Sequence, residues 1–131
     1  MKIIRGKLRK LTPHERKKYP KYKYVTLSKY YYKHKGKICK VPPGFLTDGS
    51  SGGPDYGVSW IFHDYLYATH KFESGEICSR QEADKVMKKI LNGEKLTFYC
   101  WIFVILAKIN IFCLFSRAWK KSGERGPEFL E

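Results

Sequence analysis

His63 and Asp64 stand side by side, Tyr67 follows one helical turn after His63, and Asp84 lies further along the chain. These are the side chains whose types and spacing fit hydrolysis. A histidine, with an ordinary pKa of about 6.5, is the usual general base near neutral pH. It works best when a carboxylate on its other ring nitrogen fixes its tautomer and orientation. Consecutive helix residues point about 100° apart, so Asp64 is poorly placed to serve His63. Asp84, on a second, antiparallel helix, is the better partner, and Tyr67 shares a helix face with His63. Asp64 is then left to hold a cation. The upstream loop Asp48-Gly49-Ser50-Ser51-Gly52-Gly53-Pro54-Asp55 offers backbone oxygens for a hard ion such as calcium, with Gly49, Ser51 and Gly53 as candidate ligands beside Asp64. Each part also has a plainer reading. Tyr67 can be a core tyrosine with a satisfied hydroxyl, Asp84 a carboxylate favouring its helix dipole, and the loop a turn between sheet and helix.

The elements that must position these groups follow from pattern. Residues 2–8 alternate basic and apolar side chains, 24–32 are rich in aromatic and β-branched residues, and 37–41 follow a turn at Lys35-Gly36. All three predict strands. Thr12-Pro13 and Tyr19-Pro20 bracket a loop or short helical turn, and Pro42-Pro43-Gly44 ends the strand region. Helices are predicted over 58–69, over 79–91 and over 96–119. Ser79 and Glu82 form a capping box at the start of the second, whose apolar stripe is Ala83, Val86, Met87, Ile90 and Leu91, and Asn92-Gly93 stops it. The third is apolar enough to suggest a membrane span. Lys108 and Asn110 interrupt it, at about 2.5–3.5 kcal/mol for a central charge, so a buried central helix is the favoured reading. The expected architecture is one α+β domain over residues 1–122, with a small N-terminal antiparallel sheet, three helices and a tail over 123–131.

The 131 residues suit a single domain with a real core. Residues 1–40 carry 15 Lys/Arg against Glu15 alone, whereas residues 41–131 carry 11 cations and 11 acids, so the net +14 lies wholly in the first third. Lysines interleaved with tyrosines there suit an anionic membrane surface or nucleic acid. A solvated lysine face, in a composition rich in Lys, Ile and Tyr, is the plainer alternative. Cys39, Cys78, Cys100 and Cys113 show no C-x-x-C spacing, which favours a reducing compartment, and no apolar stretch of signal-peptide type follows the charged N-terminus.

Val41-Pro42-Pro43-Gly44-Phe45-Leu46-Thr47-Asp48-Gly49-Ser50-Ser51, His63-Asp64-Tyr65-Leu66-Tyr67 and Ser79-Arg80 to Ala83-Asp84 resemble the signature of an uncharacterised family of phage and bacterial proteins. That signature reads VP-x-GF-x-TD-G-A-S-x-P, HD-x-LY and SR-x-x-AD, and the resemblance covers about residues 20–120. The family has no settled activity, so the resemblance implies a fold. More distantly, His63-Asp64-x-x-Tyr67, the Ser-Gly loop within 73–76 and Ala83-Asp84 resemble the catalytic helices of phospholipase A2, above all the disulfide-free domain of parvovirus capsids. This resemblance implies His63 as base, Asp84 as its orienting carboxylate, Tyr67 as their support, Asp64 as calcium ligand and a calcium loop at 49–53. The glycines do not reproduce that loop's register, and Leu66 precedes the tyrosine where secreted enzymes carry a nearby cysteine. The function expected is a calcium-assisted lipid ester hydrolase, held on anionic phospholipid by the basic third, with the last helix lining an acyl-chain groove. The competing expectations are a non-enzymatic viral or phage-derived structural module and a nucleic-acid binder acting through residues 1–40.

Overall fold

Short runs of Tyr, Val, Ile and Thr build the first half as strands, and longer periodic segments build the second half as helices. The structure, a computed structural model, describes residues 1–49, 57–109 and 113–131. In chain order the elements are β1 (Lys2–Ile4), β2 (Leu8–Lys10), α1 (Pro13–Lys18), β3 (Tyr24–Thr26), β4 (Tyr30–His34), β5 (Lys37–Val41), β6 (Leu46–Thr47), α2 (Ser59–Thr69), α3 (Arg80–Gly93), α4 (Thr97–Ile109) and α5 (Leu114–Arg125). The α+β class read from the sequence is the one observed.

The single N-terminal sheet is corrected to two three-stranded antiparallel sheets, ordered β1-β4-β5 and β2-β3-β6. The segments expected as two long strands, 2–8 and 24–32, each divide, and their halves enter different sheets. The division falls where the two segments cross. A Cβ on Gly6 would lie 2.5 Å from the Ser28 carbonyl oxygen and 2.8 Å from that of Lys29, so only glycine permits the approach. Ser28 Oγ accepts the Lys7 N–H across the same crossing.

The main core lies between the β1-β4-β5 sheet and the α2–α3 pair. Tyr32, Phe62, Leu66 and Ile90 are at most 1 % exposed, and the Phe62 ring meets those of Tyr30 and Tyr32 at about 6 Å. Such side chains contribute roughly 1.5–3 kcal/mol each. A second cluster of Leu11, Tyr22, Val25 and Leu46 sits under the other sheet. The Ser79–Glu82 capping box is formed, both reciprocal bonds being present, and α3 buries the predicted stripe except for half-buried Met87. Helix α2 has no side-chain cap of its own at Val58. Glu94, beyond the end of α3, accepts the Val58 N–H at 3.2 Å and pairs with Arg5 at 2.6 Å. The start of the helix that carries His63 is thus held from the far end of its neighbour.

The long third helix is also corrected. It divides into α4 and α5, bent by 89°, with Cys113 at φ +58° opening α5. Nor is it a buried central helix: of α4 only Cys100 is buried. Among the described residues no single helix is long and apolar enough to cross a membrane. Residues expected as a tail are packed. Helix α5 continues to Arg125, after which Glu128 and Leu130 exchange backbone hydrogen bonds with Leu46 and Gly44. All four cysteines are free thiols, three of them buried.

Candidate functional site

Helices α2 and α3 pack face to face, and the histidine side of α2 turns towards the first turns of α3. His63 Nε2 lies 2.9 Å from Asp84 Oδ1, and the Tyr67 hydroxyl donates to the same oxygen at 2.8 Å. Arg80, one turn before Asp84 on its own helix, donates to Oδ2 at 3.0 Å. The structure therefore brings His63, Tyr67 and Asp84 together as the spacing predicts. It adds Arg80, whose i, i+4 relation to Asp84 was visible in the sequence. Burial, with Asp84 beside it, raises the Tyr67 phenol above its ordinary pKa, so Tyr67 serves as a donor. A carboxylate accepts only, so Asp84 assigns the ring proton to Nε2 and leaves Nδ1 as the basic nitrogen. Nδ1 has no hydrogen-bond partner among the described residues.

Asp64 points elsewhere, as the helical angle requires. Its Oδ2 accepts the Thr47 hydroxyl, and its carboxyl meets that of Asp48. Gly49, at φ +82°, turns the chain here and donates its N–H to Thr47 Oγ1 at 3.3 Å. Of the loop ligands expected for calcium, only Gly49 is placed beside Asp64; Ser51 and Gly53 lie outside the described residues. Burial raises the Asp64 carboxyl well above its usual range, and the neighbouring Asp48 charge adds to the effect against the opposing Thr47 bond. The Asp48–Asp64 pair was missed in the sequence because it joins a loop to a helix with no periodic relation between them. Among the described residues no group of three His, Cys, Asp or Glu side chains converges.

The raised Asp64 pKa predicts a pH dependence. Below the unfolded carboxyl's value of about 3.9 both states hold the proton, and the contribution to stability is complete. As pH rises through the higher folded value, the native state must bury a charge, and that contribution is lost. Thermal melts between about pH 4 and pH 8 should therefore fall in Tm for the wild type and flatten in Asp64→Asn. An equal slope in the two proteins would remove Asp64 as the cause.

Both groups face one cavity of about 750 Å³. Trp60, Leu91, Ile102, Phe103, Leu106 and Leu114 supply apolar wall, and His63, Asp64, Asp48 and Ser59 supply the polar points. Ser59 Oγ is buried without a partner among the described residues. Phe103 of α4 sets its ring edge-on to His63 at 5.4 Å, so α4 roofs the base. The other end of α2 fixes α5. The His70 ring stacks on Trp119 at 3.7 Å, and its Nε2 lies 2.9 Å from the Trp119 carbonyl oxygen. Gly123 leaves room for that ring, since a Cβ there would lie 2.3 Å from it. No protein-family model, curated protein or solved structure matches this chain.

Proposed function

We propose that this protein hydrolyses carboxylic esters of lipids in the manner of phospholipase A2. One observation carries the reading: a histidine tied through Nε2 to a carboxylate stands on the wall of a mostly apolar cavity of about 750 Å³. Cavities of that size with a few convergent polar groups suit a small hydrophobic ligand. His63 Nδ1 takes a proton from a water, whose oxygen attacks the ester carbonyl carbon. The tetrahedral intermediate then expels the alkoxide, which recovers the proton from Nδ1, leaving a fatty acid and an alcohol. Asp84 holds the ring and stabilises the imidazolium, while Tyr67 and Arg80 hold Asp84. The apolar wall takes the acyl chain and excludes competing water.

The carboxyls of Asp48 and Asp64, crowded together and rich in hard oxygens, suit calcium as a partner. These two side chains, with backbone oxygens near Gly49, would hold it. Bound there, calcium would polarise the ester carbonyl as a Lewis acid. Anionic phospholipid is the proposed substrate surface. The test is fatty-acid release from long-chain phospholipid dispersed with calcium, compared with a water-soluble short-chain ester. Release from the long-chain lipid is expected; release from neither would overturn the reading. Calorimetric titration should find saturable calcium binding that disappears in Asp64→Asn.

A second reading has an observation of its own. Every oxygen of Asp84 is engaged by His63, Tyr67 or Arg80, as in a network that only joins two helices. A phage- or virus-derived structural module would need nothing more, and it would be indifferent to calcium. Of the 15 cations of residues 1–40, Arg5, Arg9, Lys18, Lys37 and Lys40 take part in ion pairs among the described residues, and the nucleic-acid reading rests on the others.

A further inference from the structure

Helix α4 is apolar on both sides. Its inner side seats Cys100 in the core and sets Phe103 over His63. Its outer side exposes Phe98 at 65 %, Trp101 at 63 % and Ile109 at 57 %. Together with half-buried Ile105, these recur at i, i+3, i+7 and i+11, which makes one continuous stripe. A helix packed on a core in water has no use for such a second stripe, and exposed apolar patches mark interaction surfaces. Cations accompany it. Lys108 lies two turns from Trp101 at the margin of the stripe, and Arg117, Lys120 and Lys121 are exposed on α5. Among the described residues none of these four takes part in an ion pair, whereas the paired acids are mostly engaged by cations of the first forty residues.

We infer that the bent α4–α5 pair is the element by which the protein seats on an anionic lipid surface. The α4 stripe enters the boundary between headgroups and acyl chains, with Trp101 at the interface and the unpaired lysines against lipid phosphate. Leu106 and Leu114 are both exposed and part of the cavity wall, so this surface adjoins the mouth of the cavity. That last link rests on the proposed hydrolase; the seating itself does not.

The test is co-sedimentation of the full chain with phosphatidylcholine vesicles, with and without phosphatidylglycerol, in chelator and with no turnover measured. Binding to the anionic vesicles is expected, with quenching of Trp101 fluorescence by brominated lipid. Trp101→Ser with Ile109→Ser should weaken binding by about tenfold or more and abolish the quenching. Both sites are exposed, and an unchanged melt confirms folding. Lys108→Gln, Lys120→Gln and Lys121→Gln together should lower affinity for anionic vesicles on the order of 10²-fold. Wild-type binding by the Ser double variant would overturn the inference. So would a wild-type dimer that the same variant dissociates, since the stripe would then be an interface between copies.

Discussion

His63→Gln should leave the fold standing and lower ester turnover roughly 10²–10⁴-fold, the range typical for loss of a general base. Glutamine can still offer an N–H towards Asp84 Oδ1, so Tyr67 and Arg80 keep their partner. It offers no nitrogen able to accept a proton from water. The stability change should stay near 1 kcal/mol, that of one altered hydrogen bond. Turnover on long-chain phospholipid and a melting curve on the same preparation separate the two effects. A variant that keeps a tenth or more of wild-type turnover would remove His63 from the base role. Loss of turnover together with collapse of the melt would instead assign it to structure.

Asp84→Ala should be the most destabilising single change in the site. Three donors converge on this carboxylate, and its side chain is only 11 % exposed. Removing it leaves Arg80, itself 18 % exposed, as an uncompensated cation beside the buried Tyr67 hydroxyl. Breaking a buried pair from one side costs about 3–5 kcal/mol. Asp84→Asn keeps the volume but directs an amide N–H₂ towards groups that are themselves donors, and turnover should be lost with a smaller change in stability. A cycle with Arg80→Ala isolates the coupling, which should exceed about 1 kcal/mol for groups in contact. Chemical denaturation of the four proteins supplies it. A loss below about 1 kcal/mol in Asp84→Ala would mean that the α2–α3 contact stands on apolar packing alone.

The parts of the site legible in the sequence are those written in local periodicity. The Ser79–Glu82 box and the 3.6-residue repeat place α3, and the turn between His63 and Tyr67 puts both on one face of α2. From these the meeting with Asp84 follows. What was not legible depends on contacts between distant segments. Gly6 gives no local sign that Ser28 and Lys29 pass against it, so two sheets read as one. The apolar run of 96–119 reads as a single helix because composition is blind to the bend before α5. Nothing local to Glu94 shows that it caps a helix across the domain. Asp48 reads as a loop residue, although it shares a pocket wall with Asp64.

The pairing of residues 128–130 with 44–46 places a segment made long after β6 beside it, with Phe129 bridging Phe45. Translation runs from N- to C-terminus, so β6 and the loop that carries Asp48 emerge long before the chain that covers them. Until residues 126–131 leave the ribosome, a nascent chain presents an open sheet edge, the feature that most readily recruits another copy. The cavity wall formed by Pro127 and Glu128 is likewise missing during that interval. The pocket therefore closes well after the segments that carry His63 and Asp64 have been made, and substitutions that weaken the pairing of residues 128–130 with 44–46 should act on solubility during synthesis before they act on chemistry.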